Sequence, residues 1–100
     1  MESKKTPEYK AQAKRYWMKK RYGLAPEDAD LMLMAQGNVC ASCGAEEAGN
    51  KNGWAIDHDH TTGAIRGVLC HGCNVGLGGF ADSIEKLEAA IRYLRKHQPC

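Results

Sequence analysis

Nothing in this 100-residue sequence is long and apolar enough to span a bilayer. Its longest apolar run, Leu31-Met32-Leu33-Met34-Ala35, falls far short of the roughly 20 residues a membrane helix needs. The lysines near the N-terminus have no apolar segment behind them, so a secretory signal is missing as well and the expected compartment is the cytoplasm. There are no internal repeats and no low-complexity segments, which removes repeat and fibrous architectures from consideration. Overall charge of one sign is also scarce, at +2. So is length: one small domain is expected, with a core that leaves little stability margin and makes a metal staple energetically reasonable.

Cysteine is what the chain does have. Four of its five cysteines form two identical pairs, Cys40-x-x-Cys43 and Cys70-x-x-Cys73. Disulfides are uncommon in the cytosol, and paired C-x-x-C there favours metal over cross-linking. Two residues between cysteines let one turn aim both sulfurs at one ion, and two such turns supply the four tetrahedral ligands of structural Zn²⁺. The alternative is four free or oxidised thiols. Cys100 is read as a spare thiol and His97 as a surface residue. His71 lies inside the second pair, but four sulfurs already complete a shell.

The charge is unevenly spread. Residues 1–21 carry Lys4, Lys5, Lys10, Lys14, Arg15, Lys19, Lys20 and Arg21 against Glu2 and Glu8, and the rest of the chain is net acidic. A basic arm on an acidic body points to a polyanionic partner, nucleic acid first, with Lys14, Arg15, Lys19, Lys20 and Arg21 as candidate phosphate contacts. The bland reading is a solvated basic face whose Tyr9, Tyr16 and Trp17 anchor it to the body.

Local signals predict the elements. Thr6 as N-cap and Pro7 at the first helical position start a helix that Gly23 stops. Pro26 opens a second, with Glu27, Asp28 and Asp30 near its start, an apolar side of Leu31, Met32, Met34 and Ala35 as core filler, and Gly37-Asn38 at its end. Residues 45–53 are a polar loop. A strand begins at Trp54-Ala55-Ile56, turns at residues 60–64 and returns over residues 65–69. Asn74-Val75-Gly76-Leu77-Gly78-Gly79 is a short helix or turn. Asp82 and Glu85 read as a capping box for a last helix, whose Ile84, Leu87, Ile91 and Leu94 form a stripe that covers the core or meets a protein partner. The organisation is thus a basic N-terminal helix (1–24), a stapled core (25–80) and a C-terminal amphipathic helix (81–100).

Between the cysteine pairs lies Asp57-His58-Asp59-His60. An ideal strand sends Asp57 and Asp59 to one face and His58 and His60 to the other. Asp57 and His58 therefore serve one site only if the strand ends there and the chain twists. A polar strand end, or a second zinc site built on the histidines, are the alternatives. A hard carboxylate together with an amide oxygen from Asn74 favours a hard metal.

The segment Cys-x-x-Cys, then Ile56-Asp57-His58-Asp59-His60, then Arg66-Gly67-Val68-Leu69-Cys70-His71-Gly72-Cys73-Asn74 resembles the recombination endonuclease VII family of phage nucleases. That family is a branch of the HNH, or ββα-metal, endonucleases. Tyr22-Gly23-Leu24-Ala25-Pro26-Glu27-Asp28 is similar to the lead-in of small phage members. The resemblance covers roughly residues 15–78. It implies an α+β fold, a zinc-bound ββα-metal (HNH, His-Me finger) core flanked by N-terminal and C-terminal helices. It implies a metal-dependent DNA endonuclease hydrolysing phosphodiester bonds, working in the host cytoplasm if phage-encoded, with no membrane partner and as a homodimer. Asp57 and Asn74 would hold catalytic Mg²⁺ or Mn²⁺, His58 would be the general base, and His60 would sit beside the scissile phosphate. Cys40, Cys43, Cys70 and Cys73 would hold Zn²⁺, and Arg66 is either a phosphate contact or a surface arginine. Where the phage resolvase has an acid three residues after the asparagine, this chain has Leu77. The extra C-terminal domain of larger resolvases has no counterpart, so four-way junction specificity is not carried over. The rival is a non-catalytic zinc-binding module for DNA or protein.

Overall fold

Proline at the first helical turn and glycine just past the last one delimit the first helix, α1 (Pro7–Tyr22). Gly23 takes φ 72°, and its amide donates to the Lys19 carbonyl at 2.9 Å. The computed structural model describes residues 7–99; Thr6, Lys4, Lys5 and Cys100 lie outside them. A second helix, α2 (Pro26–Ala35), again opens on proline, and the Asp28 carboxylate accepts the Ala25 amide at 3.0 Å. Gly37 and Asn38, at φ 80° and 62°, end it in left-handed conformations. An exposed Arg15–Glu27 ion pair links the two helices. The Arg15 hydrogen bond holds the Glu27 carboxyl below its usual range.

Strands β1 (Ala55–His58) and β2 (Ile65–Leu69) pair antiparallel. Helix α3 (His71–Gly79) follows at once, and α4 (Ile84–Lys96) is the last element among the described residues. The fold is therefore α+β, with four helices and a two-stranded sheet among the described residues. Asp57 faces Gly67 across the hairpin, whereas His58 faces Ile65. Arg66 is left over as the extra residue of a β-bulge.

The sheet's outer edge is closed by a side chain. Gln36 Nε2 donates to the Val39 and Val68 carbonyls at 2.9 and 3.0 Å, and the Val68 amide donates to Gln36 Oε1 at 2.9 Å. One amide side chain thus does for β2 what a third strand would. This also accounts for Gly67: a Cβ there would meet Gln36 Oε1 at 3.3 Å and the Ala41 methyl at 3.5 Å. Gln36→Ala leaves the Val68 amide without an acceptor, and an expected cost of about 1–3 kcal/mol is readable in urea unfolding at fixed metal. An unchanged midpoint would mean that water takes over the bond without penalty.

The core is small: among the described residues, Cys40, Val68, Leu69 and Cys70 are its buried hydrophobic members. Ala45, Trp54, Cys73 and Leu77 pack against it. Leu77, the departure from the resolvase pattern, is thus a packing residue here. Four expectations are corrected. Leu31 and Met34 are exposed rather than core filler, and Tyr16 and Trp17 are exposed rather than anchors. Helix α4 does not cover the core, for Ile84 and Leu94 stand 68% and 62% exposed. The cap of α4 is Ser83, whose hydroxyl accepts the Lys86 amide at 3.1 Å; Asp82 has another partner. The common reason is that a core centred on sulfur and one hairpin offers too little apolar surface to dock every helix. The resulting molecule is elongated, 62 × 30 × 29 Å.

Candidate functional site

The four paired cysteines meet. Their sulfurs all lie within 4.8 Å of one another, and Cys43 Sγ and Cys70 Sγ are 3.7 Å apart. Thiolates around tetrahedral zinc are separated by about 3.8 Å, given a Zn–S bond of roughly 2.3 Å, so the cage is compatible with a structural zinc ion. No other group of three or more His, Cys, Asp or Glu side chains converges in this way among the described residues. Tight turning places the first pair: Gly44 takes φ 79°, and the Cys40 amide donates to the Ala45 carbonyl at 2.8 Å. The second pair occupies the first turn of α3, where Cys70 is the N-cap and its sulfur accepts the Cys73 amide at 3.4 Å.

Four thiols this close cannot all ionise without a cation among them. Burial opposes ionisation of Cys40, but the amides of Cys43, Cys70 and Ser42 outweigh it and bring the thiol down to about 6. Burial, reinforced by the Cys43 side chain, pushes Cys73 up to about 12. A divalent cation removes the conflict by neutralising several thiolates at once. His71 bonds elsewhere, its Nδ1 lying 2.9 Å from Asn50 Nδ2.

The Asp57–His60 run divides its work. Asp57 is held by Arg66: Nε donates to Oδ2 at 2.6 Å and Nη2 to Oδ1 at 2.9 Å. The same Nη2 donates to Asp82 Oδ2 at 3.2 Å, and that oxygen lies 3.9 Å from His60 Nε2. Hydrogen bonding to Asp57 raises the Arg66 pKa, keeping the guanidinium charged. The His58 and His60 rings are 4.7 Å apart, and the Tyr22 ring is 5.8 Å from His58. The end of α1 therefore abuts the histidine pair. A cleft of about 620 Å³ opens beside it, lined by Asp59, His60, Thr61, Arg66, Gly78, Ala81 and Asp82. Asn74 stands exposed one turn into α3, its amide donating to the Cys70 carbonyl at 3.0 Å.

Asp59 shapes the turn instead. Its Oδ1 accepts the amides of Thr61 and Thr62 at 2.8 and 2.9 Å. The Thr62 and Thr61 amides hold its carboxyl below the ordinary value. A depressed folded pKa means that this contribution is complete above the ordinary carboxylate value of about 3.9 and fades as pH drops through the lower folded value. Asp59→Ala should remove it at any pH, seen as faster proton exchange at the Thr61 and Thr62 amides. Unchanged exchange would end the turn-capping role.

The basic candidates Lys14, Arg15, Lys19, Lys20 and Arg21 are all exposed along α1. Arg15 is paired with Glu27, and Lys20 Nζ sits 5.6 and 5.8 Å from the Tyr16 and Trp17 ring centres. Arg66 is tied to two carboxylates, Asp57 and Asp82. Sequence reasoning missed Tyr22 and Asp82. Tyr22 gave a faint signal as an aromatic closing a basic helix; Asp82 looked like a cap.

A model of the recombination endonuclease VII family matches residues 15–96. The "Gene 59 protein" of Mycobacterium phage D29 is 42% identical over 76 residues, covering 75% of this chain and 46% of that protein. The "Gene 59 protein" of Mycobacterium phage L5 is 39% identical over 74 residues, covering 73% and 44%. The chain thus spans about half the length of these curated relatives. No solved structure matches it. The family match runs through both cysteine pairs, the hairpin between them and all of α4, and on that extent the chain belongs to the recombination endonuclease VII family.

Proposed function

We propose that this chain carries the catalytic core of a metal-dependent DNA endonuclease of the HNH, ββα-metal type. Zinc held by Cys40, Cys43, Cys70 and Cys73 would tie the Cys40–Cys43 knuckle to the junction of β2 and α3, so that β1, carrying Asp57 and His58, and α3, carrying Asn74, form one rigid unit. Asp57 and Asn74 hold a Mg²⁺ or Mn²⁺ ion. The donor set fits a hard cation, and the Asp57 carboxylate already pairs with a cation in the guanidinium of Arg66. Such an ion, when bound, supplies Lewis-acid stabilisation of charge on the phosphate and the leaving oxygen. His58 takes the proton from the attacking water, and imidazole suits this because its charge change falls near neutrality. Tyr22 and His60 both lie beside the His58 ring and would help to orient it. His60, at the cleft, orients the scissile phosphate.

The bulge carries this reading. It interrupts the pairing register beside Asp57 and His58, with Arg66 on β2 as the extra residue, and bulges are enriched beside active sites. DNA phosphates lie along α1 on Lys14, Lys19, Lys20 and Arg21, contacts that position the duplex without reading its bases. The exposed stripe on α4 supports a homodimer, which would present two sites to two strands.

A plasmid assay tests the proposal. Zinc-loaded protein with Mg²⁺ or Mn²⁺ should convert supercoiled plasmid to nicked or linear forms, and EDTA should stop it. One observation favours the rival, a non-catalytic zinc-binding DNA or protein module: Arg66 covers both oxygens of Asp57. Zinc-loaded protein that binds DNA yet leaves it uncut with either metal would decide for the module.

A further inference from the structure

The Arg66–Asp57 pair has a consequence for metal loading. As the bulge's extra residue, Arg66 brings a planar fork across to both oxygens of Asp57, at 2.6 and 2.9 Å. A second cation on the same carboxylate would sit within a few ångström of the guanidinium, and like charges at that range repel strongly. The alternative seat is already in contact, since Arg66 Nη2 reaches Asp82 Oδ2 at 3.2 Å. Ala81 and Asp82, at φ 54° and 57°, turn the chain after α3 so that this carboxylate faces back toward the hairpin. Asp57 is the more enclosed of the two acids, its side chain 14% exposed against 26% for Asp82. Arg66 and Asp82 both line the open cleft, which leaves the guanidinium room to move.

We propose that Arg66 is a resident cation on Asp57 that competes with the divalent ion for this carboxylate, and that Asp82 is the positioning residue that takes the guanidinium over when the ion binds. The inference rests on Asp57 being a metal ligand. Asp82 acts only through Arg66. Once transferred, the edge of the guanidinium that faced Asp57 is free to donate to a phosphate oxygen in the cleft. Occupied by arginine the carboxylate is kept paired; occupied by metal it releases an arginine to the substrate.

Mn²⁺ binding to the zinc-loaded full chain, followed by loss of the free-ion signal in electron paramagnetic resonance, tests this without cleavage. Arg66→Lys keeps the charge but loses the fork, and Arg66→Gln loses both; each should tighten Mn²⁺ binding by roughly three- to tenfold, the scale of a partly exposed ion pair. Asp82→Asn should weaken it by a similar factor in the native background and leave it unchanged in the Arg66→Gln background. An Arg66→Lys protein with native affinity, or an Asp82→Asn effect of equal size in both backgrounds, overturns the proposal, because net charge alone would then account for the data. Asp57→Asn separates the premise: Mn²⁺ binding that survives it removes Asp57 as a ligand and the proposal with it. Zinc content checks the fold of each variant. If Arg66→Gln loses zinc, Arg66→Lys and its double variant with Asp82→Asn decide the matter.

Discussion

Replacing Cys40 with serine should unfold the domain rather than merely slow it. Cys40 is 2% exposed and is one of four buried hydrophobic residues among the described ones, two of which are cysteines of the cage. Its sulfur also accepts the Ser42 and Cys43 amides at 3.4 and 3.5 Å, so the first knuckle is organised around it. Apparent zinc affinities of small metal-dependent domains amount to roughly 10–16 kcal/mol at neutral pH. A domain of this size has about 5–15 kcal/mol of net stability in all. Losing one of four thiolates therefore removes most or all of what holds Val68 and Leu69 in place. Circular dichroism and zinc per chain measure the outcome, and a strong chelator should reproduce it in the native protein. A Cys40→Ser protein that stays helical and zinc-loaded would refute the clamp.

The second large effect concerns catalysis. His58→Ala should lower the rate of plasmid cleavage by about 10²–10⁴-fold, the usual contribution of a positioned general base, with zinc content and DNA binding kept. The two substitutions differ in kind. Cys40→Ser acts through the scaffold and should abolish folding and cleavage together, whereas His58→Ala should leave folding intact. The His58 ring is half-buried beside Tyr22 and His60, so truncation leaves a gap at the end of α1 and calls for a conservative control. His58→Gln fills the space without an imidazole and should be as slow as alanine. Cleavage at the native rate by either variant would move the base to another residue.

The predictions have different roots in the chain. Cysteine spacing, the Pro7 and Pro26 helix starts, the Gly23 and Gly37-Asn38 stops and the returning strand at residues 65–69 are local features, set by neighbours a few residues apart. They were readable because φ preferences and turn geometry act over that range. The α4 pattern marked which face is apolar, yet not whether anything covers it, since that depends on how much core the rest of the chain builds. Gln36 closing β2 from 32 residues away, and Tyr22 reaching His58, leave no periodic trace.

By itself, the sequence determined that four sulfurs would share one cage and that an acid–imidazole run would lie on the hairpin between them. Both follow from spacing and from the chemistry of thiolates. The tertiary structure alone decided that Arg66 would be the bulged residue, that Asp57 would face a guanidinium, and that Asp82 would leave the helix cap to join them. Those outcomes depend on a strand register and a left-handed turn meeting in space. Charges brought together by such a meeting are unrelated in sequence until the backbone has folded.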